Sequence, residues 1–150
     1  MRKVMIAVDL SDHSINLLKE KLTNRVWSDV EEVHFVHGFQ LQIYADNFYF
    51  SAYPMEDQYE EVEKSVKELL TNLSKDIFKS DNSPKLVHTC LISSAPTNDL
   101  CEYASENKVD EMIIGTRGKH GIAGLFTSSF AEYMVRHAPC ELHILRCKES

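Results

Sequence analysis

Glycine is scarce in this sequence: it accounts for five of 150 residues, and four of the five lie within 115–124. A dinucleotide-binding enzyme carries a glycine-rich fingerprint after its first strand, but the segment 9–14, which follows the first apolar run, contains no glycine. No Walker loop is present either. The sequence therefore lacks the marks of both enzyme classes, and one glycine-rich loop remains to be interpreted.

Cysteine and long apolar runs are also in short supply. Cys90, Cys101, Cys140 and Cys147 form no CxxC pair and no paired spacing with histidine, so we expect free thiols instead of disulfides or zinc ligands. No window approaches the ~20 apolar residues of a membrane span. The charged start of the chain precedes only five apolar residues, which does not fit a signal peptide. We expect a cytoplasmic protein without membrane contact.

Positive charge is in deficit, with 16 lysine and arginine residues against 23 aspartate and glutamate residues and a net charge of −7. General nucleic-acid binding depends on basic surface, so this balance argues against a nucleic-acid partner. A phosphotransfer receiver needs an aspartate at the end of its third strand, but here that strand ends Leu91-Ile92-Ser93. No nucleophile-elbow pattern surrounds Ser129. We therefore identify no catalytic residue and no metal ligand.

What the sequence does contain is a regular alternation of apolar runs and helical patterns. Continuous apolar runs predict strands, and apolar residues at three- and four-residue steps predict helices. The predicted strands are 4–8, 33–36, 86–92, 109–114 and 142–145, and the predicted helices are 11–22, 56–78, 96–104 and 130–138. With no repeat and no linker, this order predicts one α/β domain over 1–150, a five-stranded parallel sheet with helices on both faces.

The position of a ligand site follows from the strand order. The two most apolar runs, 4–8 and 109–114, belong in the middle of the sheet, which gives the order 3-2-1-4-5. The connections then change direction between strands one and four, and ligands bind outside the carboxyl ends of the strands at such a switch point. Asp9 ends the first strand and Gly115 ends the fourth. The glycine-rich loop thus opens where this fold accepts a ligand.

The loop and the helix that follows it combine the features of an anion site. Glycine N–H groups approach phosphate oxygens without a Cβ in the way, and a helix N-terminus adds partial positive charge. The candidate binding residues are Asp9, Gly115, Gly118, Lys119, Ser128 and Ser129. A structural role is the alternative for two of them, since Ser129 begins a capping box with Glu132 and Asp9 can cap a turn.

Residues 39–56 are unusually dense in aromatic side chains and show no clear period. Aromatic side chains at this density are rarely left in solvent. We expect a loop that folds back onto its own domain and extends the core. The alternative is a lid over the site or a surface for a partner.

Three segments of the sequence resemble the universal stress protein family, and the resemblance extends over nearly the full length. They are VMIAVDLS at 4–11, VDEMIIGTRG at 109–118 and VRHAPCEL at 135–142. The resemblance implies a five-stranded parallel domain of the Rossmann-like, adenine nucleotide alpha hydrolase-like type. It also implies a homodimer formed largely through the last strand, near Glu141–Arg146, and a role in stress survival instead of metabolism.

The ATP-binding members of that family have the pattern Gly-x2-Gly-x9-Gly-Ser/Thr. Here Gly115 and Gly118 match, and Ser128-Ser129 follows after nine residues, so serine replaces the last glycine. This ending is similar to that of the branch that does not bind ATP. If the site requires a left-handed backbone at Ser128, serine costs roughly 1 kcal/mol or more, which corresponds to about tenfold in affinity.

Two further positions match the ATP-binding branch. Asp9 corresponds to the aspartate at the end of the binders' first strand, where it can accept from a ribose hydroxyl or hold Mg²⁺ through water. The binders' main-chain contact to adenine falls near Gly38. Binding of ATP with Mg²⁺ therefore stays open on the sequence alone.

Three functions remain in competition. The first is a non-enzymatic dimeric stress protein that acts through contacts with an unidentified protein partner. The second is an ATP-binding switch, and the third is a weak ATPase. We expect the first, and we leave open whether ATP binds at the switch point between strands one and four.

Overall fold

The computed structural model describes residues 1–45, 50–116 and 128–146. Strands and helices alternate along the described chain, and one short hairpin interrupts the alternation. The elements are β1 (Arg2–Ala7), α1 (Asp12–Leu22), β2 (Val30–Gln40), β3 (Gln42–Ala45), β4 (Phe50–Tyr53), α2 (Tyr59–Ile77), β5 (Lys85–Ser93), α3 (Pro96–Glu106), β6 (Glu111–Thr116), α4 (Ser128–His137) and β7 (Glu141–Arg146). A 3-10 turn at Glu56–Gln58 leads into α2.

The main sheet has five strands in the order β5-β2-β1-β6-β7, and every neighbouring pair is parallel. Counted along the main sheet alone, this is the predicted order 3-2-1-4-5. The fold class predicted from the alternation is therefore confirmed. β1 lies at the centre of the sheet, and its residues from Val4 onwards are therefore fully shielded from solvent on both faces.

Side chains of β1 supply both layers of the core in turn. Val4 and Ile6 pack in the layer covered by α1 and α2, whereas Met5 and Ala7 pack in the layer covered by α3 and α4. This alternation is the two-residue period of an extended strand. The helices therefore change face between β1 and β6, which is where the chain reverses its direction across the sheet.

The long helix α2 is held by one apolar face. Val66, Leu70, Leu73 and Ile77 are buried, and their spacing of four, three and four residues aligns them along the helix. The glutamates and lysines between them face solvent. Helix α1 is capped at its N-terminus, where the hydroxyl oxygen of Ser11 accepts a hydrogen bond from the N–H of Ser14 at 3.3 Å.

The aromatic segment 39–56 differs from the prediction. Strands β3 and β4 form an antiparallel hairpin instead of an irregular loop. Phe39 packs against the core as expected, but Ile43, Tyr53 and Met55 are exposed. The expectation that the segment extends the core therefore holds only for its beginning. Sequence patterning missed the hairpin because the aromatic residues hide the two-residue period.

Three of the four cysteines lie in the described ranges, and all three are free thiols, as predicted. Burial raises the pKa of Cys90 and of Cys140 to about 11, so both stay protonated at neutral pH. Cys147 lies outside the described residues. Within the same ranges, no helix is long and apolar enough to span a membrane, and no cluster of three or more His, Cys, Asp or Glu side chains is placed to bind a metal ion.

Candidate functional site

The carboxyl ends of β1, β2 and β6 lie at the same edge of the sheet, which runs across the strands and is distinct from the outer strands β5 and β7. Ile6 of β1 lies opposite Ile113 of β6, and Ala7 lies opposite Val36 of β2. Beyond these pairs β1 ends, whereas β2 continues to Gln40 against β5 and β6 continues to Thr116 against β7. Three of the predicted site residues, Asp9, Gly38 and Gly115, lie at this edge.

Asp9 follows β1 and is mostly buried, with 8% of its surface exposed. Its two carboxylate oxygens accept from Ser11: the backbone N–H donates to Oδ1 at 3.2 Å and the hydroxyl to Oδ2 at 3.4 Å. Bonding to the N–H two residues ahead is the geometry of an Asx turn. The alternative that Asp9 caps a turn is therefore observed, and the same bonds fix the orientation of its carboxylate.

His37 is a residue at this edge that the sequence analysis did not single out. Its Nδ1 lies 2.6 Å from the carbonyl oxygen of Val8, which can only accept, so Nδ1 carries a proton. Burial lowers the pKa of His37 below its ordinary value, while the bond to Val8 and the charge of Asp9 act in the opposite direction. The signal in the sequence was its place directly after the predicted strand 33–36, beside the end of β1.

Gly38 follows His37 and packs against the start of α3. A Cβ built on Gly38 would lie 2.9 Å from the Cβ of Pro96, closer than side-chain carbons approach one another. Pro96 occupies the first turn of α3, where its missing N–H costs no hydrogen bond. The absence of a side chain at Gly38 therefore has a packing reason that does not depend on any ligand.

Gly115 lies within β6 and is less constrained. A Cβ at this position would lie 3.2 Å from Cδ2 of Leu17, the end of a side chain that can move by a few tenths of an ångström. The close contact comes from α1, on the face opposite to α4. Glycine here allows α1 to pack tightly over the central strands.

The helix after the loop begins at Ser128, one residue before the predicted cap residue Ser129. A helical residue has a φ near −63°, so the condition for the cost we attached to Ser128, a left-handed backbone, is not met. Both residues lie in the first turn, where backbone N–H groups have no acceptor within the helix. Gly118 and Lys119 lie outside the described residues.

The edge thus combines a fixed carboxylate, a histidine whose protonated nitrogen is engaged by a carbonyl, and a helix start beyond β6. These groups accept from hydroxyls or metal-bound water and donate to anions, which is the chemistry of binding. His37 is not arranged as a general base through Nδ1, because the carbonyl of Val8 holds that proton.

Comparison with known proteins identifies the family. The sequence profile described as the Universal stress protein family matches residues 1–146. The chain belongs to this family. A universal stress protein of Methanocaldococcus jannaschii is 25% identical over 150 residues, covering 97% of this chain and 82% of that protein. A putative universal stress protein of Staphylococcus aureus is 30% identical over 106 residues, covering 69% of this chain and 63% of that protein.

Solved structures of universal stress proteins share the fold. UspA from Lactobacillus plantarum superposes with a TM-score of 0.68 at 17% identity, covering 97% of both chains. A universal stress protein in complex with cAMP gives a TM-score of 0.61 at 17% identity, covering 98% of both chains. The Archaeoglobus fulgidus protein in complex with dAMP gives 0.58 at 16% identity, covering 97% of this chain and 98% of that one.

Proposed function

We propose that this universal stress protein binds an adenine nucleotide, ATP with Mg²⁺ in the first instance, at the carboxyl ends of β1, β2 and β6. The observation that carries the proposal is the common edge of Asp9, Gly38 and Gly115 at the switch point of the sheet. Structural neighbours hold cAMP and dAMP, and both ligands contain adenine.

Each candidate residue has a distinct part in this proposal. Asp9 accepts from a ribose hydroxyl or from water on Mg²⁺, with its carboxylate oriented by the two hydrogen bonds from Ser11. The backbone of Gly38 contacts adenine. Gly115, Gly118, Ser128 and Ser129 donate hydrogen bonds to the phosphate oxygens, and Lys119 adds a positive charge beside them.

Ser128, which replaces the glycine of the ATP-binding branch and is similar to the branch that does not bind ATP, does not strain the backbone at this site. Its main expected cost was backbone strain, and a residue in the first turn of α4 carries none. What remains is the space taken by a Cβ and a hydroxyl, which also offers a further donor to a phosphate oxygen.

Equilibrium dialysis with labelled ATP and Mg²⁺ tests the site, with cAMP, dAMP and GTP as further ligands. We expect saturable binding of the adenine nucleotides and none of GTP. Asp9→Asn and Lys119→Ala should each weaken ATP binding about tenfold, because each removes one charge-assisted contact. Asp12→Asn, an exposed change in the first turn of α1, is the matched control and should leave affinity unchanged.

If the protein retains no nucleotide at millimolar ATP, the nucleotide proposal is wrong and the protein acts through its contacts alone. Phosphate release measured in the same samples separates binding from hydrolysis. We propose a non-enzymatic protein and expect no turnover. Release that disappears in Asp9→Ala would instead support the weak ATPase, whereas release unchanged in that variant would indicate contamination.

We further propose that two copies of this chain pair through β7. This strand is one of the two edges of the main sheet, and strand edges invite pairing. Ile144 of β7 is 39% exposed and Val135 of the neighbouring α4 is 67% exposed, so apolar surface lies beside the free edge. A dimer of this kind would present a surface to an unidentified protein partner in the stress response.

Replacing Ile144 with aspartate is expected to convert the dimer to a monomer, because each copy would bring a carboxylate into a desolvated interface. Light scattering with size-exclusion chromatography at micromolar concentration measures the change. Leu69→Asp, an exposed apolar position on α2, which packs on β2 and β5 at the other side of the sheet, is the control and should remain dimeric. A wild-type protein that is monomeric under these conditions would remove the proposal.

A further inference from the structure

The opposite edge of the main sheet is formed by β5, a strand of nine residues. β5 pairs with β2 along its whole length, from Lys85 to Ser93. In the described ranges no strand pairs with its other side. A strand paired on one side leaves about half of its backbone N–H and C=O groups directed outwards, so β5 offers a row of donors and acceptors.

A groove of about 380 Å³ runs along this outer edge. Its floor is lined by Cys90, Leu91 and Ile92 of β5. Its two walls come from opposite faces of the sheet, because α2 contributes Glu63 and α3 contributes Tyr103 together with acidic residues. The groove therefore follows the strand edge and is open to solvent.

The wall formed by α3 carries a row of carboxylates. Asp99, Glu102 and Glu106 are spaced by three and four residues, so they lie along one side of the helix. No lysine, arginine or histidine lies within salt-bridge distance of these three residues in the part of the chain that the structure describes. The wall formed by α2 carries charges of both signs, because Glu63 and Lys67 both lie close enough to Cys90 to act on its thiol, with opposite electrostatic effects.

The side chains of β5 alternate between these walls. Thr89 faces α3, where its hydroxyl lies 3.1 Å from the hydroxyl of Tyr103, and His88 faces α2, where its ring lies 2.8 Å from the hydroxyl of Ser74. A further strand beside β5 would continue this pattern, with every second side chain over the acidic wall of α3. The groove thus specifies both a backbone conformation and a charge at alternate positions.

We propose that the β5 edge binds an extended peptide segment of a partner protein with lysine or arginine at alternate positions. The segment adds a sixth strand to the sheet through backbone hydrogen bonds with β5. Its basic side chains pair with Asp99, Glu102 and Glu106, and the intervening side chains lie towards α2. The proposal does not rest on the nucleotide site, since the peptide contacts the outer side of β5 and that site lies at the carboxyl ends of β1, β2 and β6.

The probe is a fluorescent heptapeptide in which threonine and lysine alternate, with lysine at positions two, four and six. Fluorescence anisotropy measures its binding to the full chain. We expect saturable binding that weakens as salt rises. A block peptide of the same composition, with its three lysines consecutive, should bind at least fivefold more weakly, since only one or two of its charges can face α3 in a strand.

A second control separates strand addition from charge attraction alone. The alternating peptide is methylated at the backbone nitrogens of its central lysine and of one adjacent threonine, which blocks both edges of the strand at constant charge. We expect the affinity of the methylated peptide to be about one tenth of that of the unmodified peptide or lower, because backbone hydrogen bonds are lost. Equal binding of the methylated peptide would overturn the proposal, as would no binding of the unmodified one.

The acidic wall is tested with the double variant Glu102→Gln and Glu106→Gln. Both side chains are exposed, so the fold is retained, and we expect about fivefold weaker binding of the alternating peptide. Glu20→Gln with Glu31→Gln changes the net charge equally at exposed positions on α1 and β2 and should leave binding unchanged. Equal loss in both double variants would assign the binding to overall charge and overturn the proposal.

Hydrogen exchange gives an independent readout. Outward amide protons of β5 exchange quickly in the free protein and should become protected when the alternating peptide is bound, whereas protection of β7 should not change. Protection on β7 alone would place the peptide at the other edge and contradict the proposal.

Discussion

Replacing Phe35 with alanine is expected to lower the free energy of unfolding by about 4 kcal/mol, because a fully buried aromatic side chain is lost and a cavity is left. Phe35 lies in β2 beneath α2. Its ring centroid is 5.8 Å from that of His88, in a stacked arrangement, and 6.3 Å from that of Phe78, edge to face. The substitution therefore removes contacts to β5 and to the end of α2 at once.

Equilibrium unfolding in guanidinium chloride, followed by circular dichroism, measures the loss. Phe35→Leu keeps most of the volume and should cost about 1 kcal/mol. Phe39→Ala is a second comparison on the same strand: Phe39 is only partly buried, so we expect about 1–2 kcal/mol. A loss below 2 kcal/mol for Phe35→Ala would mean that the surrounding core collapses into the cavity.

Replacing Glu111 with glutamine is expected to lower the free energy of unfolding by about 2 kcal/mol at neutral pH. The Glu111 side chain is 8% exposed at the start of β6, where Oε2 lies 2.7 Å from Arg25 and 3.4 Å from Arg2, and Oε1 lies 3.5 Å from His143. Removing the carboxylate leaves Arg25 partly buried without its charge partner. Water still reaches both arginines, which keeps the cost below that of a fully buried pair.

The same carboxylate sets an acid limit on stability. Burial acts to raise the pKa of Glu111, but the hydrogen bond and charge of Arg25, together with Arg2 and His143, hold it below the ordinary value of 4.5. A carboxyl group with a depressed folded pKa contributes stability that is present above pH 4.5 and is lost as the pH falls through the folded pKa. Stability should therefore decline below pH 4.5, and this decline should be weaker in Glu111→Gln.

Glu141→Gln is the matched control, because Glu141 also contacts Arg2, at 2.9 Å, but its side chain is 79% exposed. We expect a change within about 0.5 kcal/mol and an unaltered acid profile. If both glutamine variants unfold alike at every pH, the charged cluster around Glu111 does not stabilise this part of the sheet.

The sequence carried most of the information needed for the fold. The apolar runs 4–8 and 109–114 lie at the centre of the sheet, and the four-and-three spacing from Val66 to Ile77 gives the buried face of α2. Such patterns are local, because each strand or helix must hide one side of itself. The switch point followed from strand order alone, and it brings Asp9 and Gly115 to one edge.

What the sequence did not reveal depends on contacts between distant residues. The two-residue alternation that would predict the β3–β4 hairpin is hidden by its aromatic residues. The reason for glycine at Gly38 is the Cβ of Pro96, which is 58 positions away in the chain and is brought near only by the fold. The role of His37 likewise depends on the carbonyl of Val8 in the neighbouring strand.

The main sheet ends in two strands with different surroundings, and this difference determines valency. β7 is bordered by exposed apolar side chains, whereas β5 is bordered by carboxylates. If two copies join through β7, their sheets form one continuous surface whose two outer ends are both β5, related by twofold symmetry. The pair would then be divalent towards basic strands, and a partner with two such segments would gain avidity that a single chain cannot provide.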